Sequence, residues 1–304
     1  MSAPLVWLPF EPSDLGELPD GLRYERVDPD AELPTSAEEV EVYVLPYRFA
    51  AADGERLARL PRLRVAQTMS AGVEHLRAFV PSGVQLCNGR GIHDTSTAEL
   101  TLTLVLASLR GVPDFVRAQD RAQWRPRTRP SLADKQVLIV GYGQIGQAIE
   151  RRLLPFEAEV VRVARRSRDG VHPVEDLPEL LPRADVVVVI VPGTEQTKGL
   201  FDAAMLAHLK DGALLVNMAR GAVVDTEALL AELTAGRLSA ALDVVDPEPL
   251  PDNHPLWRAP NLLLAPHVGG NSDAMWPRAH RLVRDQLCRY AAGEPLANVV
   301  TGDY

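Results

Sequence analysis

The stretch QVLIVGYGQIGQAIERRL (136–153) constrains the fold more than any other part of the chain. An apolar run, Gln136–Val140, passes directly into Gly141, Gly143 and Gly146, and an amphipathic helical pattern follows. Each glycine has its own steric task. Gly141 allows a tight turn, Gly143 lets the backbone approach a diphosphate, and Gly146 lets helix and strand pack closely. The helix start presents unpaired N–H groups and a positive dipole end at the same place. The segment therefore reads as one strand–turn–helix of a parallel sheet. Gly141, Tyr142, Gly143, Gln144, Ile145 and Gly146 form its dinucleotide cradle.

The rest of the chain repeats this alternation. Strand-like runs stand at Leu5–Leu8, Arg23–Val27, Val40–Leu45, Arg64–Thr68 and Gln85–Cys87. A second series stands at Gln136–Val140, Glu159–Val163, Asp185–Val191, Ala213–Asn217, Ala240–Val244 and Leu262–Ala265. Helical patterns fall between them, as at 51–61 and Thr226–Ala235, and the tail Asp273–Ala292 is helical again. Such order predicts an α/β protein with doubly wound parallel sheets. The stretch Thr95–Arg110 is apolar nearly all round, which predicts a helix buried between domains or subunits, or a central core helix. Residues 121–130, RAQWRPRTRP, read as a proline-rich loop or linker.

A length of 304 residues suggests two domains. The formal net charge of -9 disfavours broad binding to nucleic acid or anionic lipid. The longest apolar run, VVVVIV, is far short of the ~20 residues that span a bilayer. With two cysteines, Cys87 and Cys288, and no leader-like start, the chain reads as cytoplasmic, although one disulfide is arithmetically open. The seven histidines show no metal-ligand spacing, so no metal is expected.

Cofactor choice turns on the strand after the glycines, AEVVRVARRSR (158–168). A carboxylate there would bond a ribose 2′-hydroxyl. Instead Ala164 ends the strand and Arg165, Arg166 and Ser167 follow, which suits a 2′-phosphate. NADP(H) is expected over NAD(H), with NAD(H) still usable.

Polar residues follow three later strands. Arg220 stands after LLVNMA beside Gly221, Asp243 and Glu248 after AAL, and His267 after LLLAP. Carboxyl ends of strands are where open α/β sheets bind ligands. A guanidinium can fork onto a carboxylate and an adjacent carbonyl. An imidazole can donate a proton to a forming oxyanion, and a neighbouring carboxylate would favour its charged form and hold its orientation.

The motifs VGYGQIG, VPGTEQTKGLF, NMARGAVVDTEAL, ALDVVDPEPLP and APHVGG follow one another as in the D-isomer-specific 2-hydroxyacid dehydrogenases, and the chain resembles that family over almost its whole length. The resemblance implies two Rossmann-like domains: a flavodoxin-like substrate domain, 1–90 plus 273–304, with the dinucleotide domain, 91–272, inserted. It implies catalytic roles for Arg220, Glu248 and His267, with Asp243 near the nicotinamide carboxamide. It adds Val191, Pro192, Thr197, Met218, Ala219 and Gly269 to the cofactor's walls, with Arg220 and His267 touching both cofactor and substrate. MSAGVEHL resembles the loop that holds the substrate carboxylate, so Ser70, Ala71, Gly72 and Val73 are expected to bind substrate, with Tyr47, Arg48 and Trp276 lining the pocket. His75 reads as structural or surface. A homodimer through the dinucleotide domains is implied.

Some positions depart from the family pattern. VGGNSDAMWPR follows His267 where many relatives have a Thr and an Ala-rich helix start, and TSTAEL stands where they often have a Val before Ala-Glu. The chain stops at Tyr304, which argues against the large, serine-regulated phosphoglycerate dehydrogenases. The expected activity is reduction of a small 2-keto acid such as glyoxylate or hydroxypyruvate. The alternatives are an NAD-linked D-2-hydroxyacid or phosphoglycerate dehydrogenase, and a corepressor-like dinucleotide sensor. Formate oxidation in this fold typically pairs Gln with the histidine, and Glu248 speaks against it.

Overall fold

The computed structural model describes residues 2–47, 51–74 and 76–301, with residues 51–53 described by backbone alone. It divides into two compact units, Met1–His93 with Asp273–Tyr304, and Asp94–Ser272.

In the first unit, β1 (Leu5–Leu8), β2 (Arg23–Arg26), β3 (Val40–Val44), β4 (Val65–Gln67) and β5 (Gln85–Cys87) form a parallel sheet in the order β2-β1-β3-β4-β5. That is the flavodoxin-like doubly wound order. Side chains alternate between two cores. Leu5 and Trp7 enter one with Tyr43 and Leu45; Val6 and Leu8 enter the other with Val42 and Val44. Helix α1 (Ala51–Ala58) covers one crossover. It ends before Leu60, which is nonetheless buried with Leu57.

The second unit begins with α2 (Asp94–Arg110) and α3 (Val112–Gln119). Its strands are β6 (Gln136–Val140), β7 (Glu159–Ala164), β8 (His172–Pro173), β9 (Val186–Val189), β10 (Leu214–Asn217), β11 (Ser239–Leu242) and β12 (Leu262–Leu264). All pair parallel, in the order β12-β11-β10-β9-β6-β7-β8. The Rossmann switch therefore falls between β6 and β9. All four valines of β9 are buried: Val187 and Val189 face one core, Val186 and Val188 the other. A sheet covered on both faces calls for such a run. Helices α4 (Gln144–Leu153), α5 (Leu177–Leu180), α6 (Ala203–Ala207) and α7 (Thr226–Thr234) complete the layers.

Strand ends move by a residue or two from those expected, as at β9, which stops at Val189. Strand β8 was not anticipated, because two residues carry no periodicity. Helix α2 is a core helix of its unit: Ala98, Leu102, Leu104 and Val105 pack with α4 and the sheet, while Glu99 and Thr103 are exposed. Residues 122–130 form no regular element, as the prolines require, but α3 before them was missed.

Helix α8 (Met275–Ala292) returns to the first unit. Val283 and Leu287 join Val6, Leu8 and Cys87, and the buried Gln286 amide donates to Gln67 Oε1 at 2.9 Å. Both cysteines are free, Cys87 buried and Cys288 exposed, so the disulfide option falls. Among the described residues, no helix is long and apolar enough to cross a membrane.

Candidate active site

The glycine turn has the geometry its sequence requires. Gly141 sits at φ +109°, and a Cβ there would lie 2.4 Å from the Ile190 carbonyl oxygen. A Cβ on Gly146 would meet the Gly141 carbonyl oxygen at 2.7 Å. Gly143 differs. Its φ is -92°, open to any residue, and nothing lies within 4 Å of its ideal Cβ. The protein itself does not demand glycine there, so the open space fits a diphosphate approaching the start of α4. Val191 and Pro192 follow β9, beside β6, at the switch point. Thr197 Oγ1 donates to the Pro192 carbonyl at 2.7 Å and closes that loop.

Beside the turn lies a network that sequence reading missed. Tyr142 Oη donates to the buried Glu150 carboxylate, which also takes Arg162 Nε at 2.8 Å. Burial opposes ionisation of Glu150, but bonds from Arg162 and Tyr142 outweigh it and hold its pKa below the ordinary value. Arg168 donates to the Tyr142 carbonyl and lies 5.7 Å from its ring centroid. Ala164 ends β7, and Arg165, Arg166, Ser167 and Arg168 are exposed after it. Expectation stopped at Ser167; Arg168 belongs with that group. The signal was available as a third guanidinium two residues beyond Arg166.

Strands β10, β11 and β12 lie side by side, about 4.8 Å apart as neighbouring strands do, so the segments after them share one edge. Arg220 is half-buried, and its Nη1 donates to the Ala219 carbonyl at 2.7 Å. Buried Asn217 braces this turn: its amide nitrogen donates to the Arg220 carbonyl at 2.9 Å, and its oxygen accepts from the Ala219 N–H at 3.0 Å. A polar residue closing the apolar run LLVN was the available sign of that role. Gly221 is obligatory, since a Cβ would lie 1.9 Å from the Val245 carbonyl oxygen. Thr226 Oγ1 donates to the Asp246 carbonyl at 2.9 Å. The segment carrying Glu248 thus leans on the segment carrying Arg220.

His267 Nδ1 lies 2.5 Å from Glu248 Oε1. A carboxylate accepts, so Nδ1 carries a proton, and Nε2 lies outside this bond. His267 sits in the left-handed region, at φ +53°. Its N–H donates to the Asp243 carbonyl at 2.7 Å, and the Asp243 carboxylate accepts from Val268 and Gly269 at 2.8 and 2.9 Å. Three successive N–H groups thus converge on one buried residue. Met218 reaches the same place, its Cε 3.2 Å from an ideal Cβ on Gly269.

In the first unit, Tyr47 and the 70–73 loop follow neighbouring strands β3 and β4. Tyr47 stacks near His93 at 5.6 Å between ring centroids. Arg48 and His75 lie outside the described residues. Trp276, on the first turn of α8, is 44% exposed and packs edge-on against Phe10 and beside His280.

A glycine turn at a Rossmann switch, with a carboxylate-held imidazole on the same edge of the sheet, defines a nicotinamide-dinucleotide-dependent oxidoreductase. The family model for the D-isomer specific 2-hydroxyacid dehydrogenase NAD-binding domain matches residues 102–269. Glyoxylate reductase of Thermofilum pendens is 34% identical, over 80% of this chain and 76% of its own. The mitochondrial formate dehydrogenase of Solanum tuberosum is 31% identical, over 92% and 78%. A D-isomer specific 2-hydroxyacid dehydrogenase from Xanthobacter autotrophicus Py2, solved with NADPH and MES, superposes with a TM-score of 0.84 at 31% identity, covering 99% of this chain and 98% of that one. The chain belongs to the D-isomer specific 2-hydroxyacid dehydrogenase family and is an NAD(P)-dependent oxidoreductase.

Proposed function

We propose that this enzyme reduces small 2-keto acids of the glyoxylate or hydroxypyruvate kind and prefers NADP(H). The observation that carries the reading is the His267–Glu248 pair, which holds the ring through Nδ1, so that Nε2 of the imidazolium is the proton donor in this reading. A bound reduced nicotinamide supplies hydride to the substrate C2. Arg220 forks onto the carboxylate and carbonyl oxygens and orients the substrate. As the carbonyl electron pair moves onto oxygen, His267 Nε2 delivers its proton there and the alcohol forms. Glu248 holds the ring and balances its charge. Asp243 fixes the backbone that carries His267, and its remaining lone pairs suit a carboxamide.

Asp94–Ser272 serves the dinucleotide and the other unit the substrate, through Tyr47, Arg48, Ser70, Ala71, Gly72, Val73 and Trp276. The absence of an acid at Ala164, together with the guanidiniums of Arg165, Arg166 and Arg168, supports the NADP(H) preference. The NADPH complex of the Xanthobacter relative agrees with it. The protein works as a homodimer through its dinucleotide-binding unit, whose α3 displays Val112, Phe115 and Val116.

The test is cofactor oxidation with glyoxylate, hydroxypyruvate, pyruvate, phenylpyruvate and longer branched keto acids, and the reverse assay with formate. Turnover of a keto acid, faster with NADPH, is expected. Formate oxidation alone, or no turnover at all, would overturn the assignment.

A further inference from the structure

Four consecutive carbonyls after β4 are captured by their surroundings. Thr68 accepts from the Gln67 amide at 2.8 Å and Met69 from His93 Nε2 at 3.0 Å. Ser70 accepts from the Gly89 N–H at 2.7 Å and Ala71 from the Asn88 amide at 3.0 Å. Three of these donors come from residues 88–93, which follow β5, the neighbour of β4. A trans peptide sets its N–H antiparallel to its C=O. Carbonyls turned toward 88–93 therefore turn the N–H groups of Ala71 and Gly72 the other way. The Ser70 N–H is taken by Thr68 Oγ1 at 3.1 Å. The approach is close: a Cβ on Gly89 would sit 2.2 Å from the Met69 carbonyl oxygen.

His93 is the titratable member of this clamp and is only 7% exposed. A carbonyl oxygen can only accept, so Nε2 carries a proton. The other side of the clamp is aromatic, with the Tyr47 ring 5.6 Å away. Tyr47 follows β3, so one imidazole links the ends of three adjacent strands at the carboxyl edge, where open α/β sheets take ligands. Burying an imidazole costs free energy that a hydrocarbon would not, and here its polar edge is spent on the loop.

We propose that His93 is a positioning residue for the substrate carboxylate. With Asn88 it holds the 69–72 loop so that the Ala71 and Gly72 N–H groups face away from the clamp, in the shape that receives a carboxylate, and it sets the Tyr47 ring beside that loop. This rests on the reading of the chain as a 2-keto acid reductase. It concerns substrate binding and leaves the proton donor and cofactor site untouched.

The experiment is steady-state kinetics on His93→Leu, His93→Gln and Asn88→Asp, with oxalate affinity measured by calorimetry. His93→Leu should raise KM for the keto acid and the oxalate Kd about tenfold, the scale of one buried hydrogen bond, with KM for the dinucleotide within about twofold. His93→Gln, which keeps an N–H donor, should recover most of the loss. Asn88→Asp removes the amide donor to Ala71 without changing size and should act in the same direction. It also serves as the reading if His93→Leu does not fold. Unchanged keto-acid KM and oxalate affinity, or a loss shared equally by the dinucleotide, would overturn the proposal. If the wild type reduces no keto acid, the functional reading falls separately, and oxalate affinity alone decides the loop: equal in wild type and variants overturns it, weakened in the variants supports it.

Discussion

Asp243 and Gly269 are closed against each other. The glycine N–H donates to Oδ2 at 2.9 Å, and a Cβ at position 269 would lie 2.8 Å from the same oxygen. The contact matters because His267, two residues earlier, sits in a left-handed conformation that an L-residue enters at a cost of about 1–3 kcal/mol. Asp243 holds all three N–H groups of that turn. Gly269→Ala should therefore destabilise by about 1–3 kcal/mol through overpacking, and turnover should fall with it. Asp243→Asn offers one acceptor oxygen where two N–H groups need one each, and should cost about as much. Thermal melting and kcat on the same samples check this; a Gly269→Ala variant with unchanged melting and turnover would contradict it.

The His267–Glu248 pair predicts the opposite division between activity and stability. Both side chains are about half exposed, at 46% and 40%, so their attraction is screened. Glu248→Gln should change stability by less than about 1 kcal/mol. Activity should respond far more. His267→Ala removes the proposed proton donor and should lower kcat by about 10²–10⁴-fold, while Glu248→Gln, which leaves the tautomer undefined, should fall between that variant and wild type. Fluorescence titration of the dinucleotide should give nearly the wild-type Kd for both.

What sequence reading reached follows from locality. The glycine turn and the strand runs depend on neighbours a few residues away. Arg220, Glu248 and His267 stood out because a polar residue just past an apolar strand has a predictable place. What it did not reach depends on distant partners. Gln286 reads as one polar residue on a helix until Gln67 is seen beside it. The Glu150 carboxylate looks like part of a solvated charge run until Arg162 and Tyr142 cover it. Helix α3 was hidden by Gly111 and Pro113, which mark a break by their types yet here serve as its cap and first turn.

Acid should weaken the second unit. The pKa of Glu150 lies below its ordinary value because, against its burial, Arg162 and Tyr142 bond its charged form. Asp185 is similar: burial opposes its charge, but Lys210, the Gln136 N–H and Lys135 outweigh it. A carboxyl whose folded pKa is depressed contributes stability that is present above its unfolded value, and this is lost as pH falls through the folded one. The urea midpoint should therefore drop as pH falls below the ordinary carboxyl range of about 4. Glu150→Gln should lower the midpoint at neutral pH and flatten that acid slope. Parallel slopes for variant and wild type would show that Glu150 is not a source of it.

Cofactor preference should respond to charge at the end of β7. Ala164→Asp places a carboxylate where a 2′-phosphate would be repelled and a 2′-hydroxyl accepted. The ratio of kcat/KM for NADPH over NADH should fall at least about tenfold, equivalent to about 1.4 kcal/mol. Arg166→Ala should lower NADPH efficiency with little effect on NADH. Arg168→Ala should do the same and also loosen the Tyr142 turn, so part of its loss should extend to NADH. Equal losses with both cofactors in all three variants would remove the case for a 2′-phosphate site.

The apolar face of α3 predicts self-association. Val112, Phe115 and Val116 lie three and four residues apart, on one side of the helix, and are 42%, 46% and 54% exposed. Trp124, in the proline-rich stretch that follows, is 96% exposed. Single exposed apolar residues are ordinary on a protein surface, but a helical stripe followed by a fully exposed tryptophan is the face on which the proposed homodimer would form. Phe115→Glu with Val116→Asp would bury two charges without partners in such an interface and should shift the proposed dimer to monomer at micromolar concentration. Light scattering after gel filtration measures this directly. Trp124→Ala should weaken the dimer less than the charge pair does, since it removes area without adding a buried charge. A double variant that stays dimeric would move the interface away from α3.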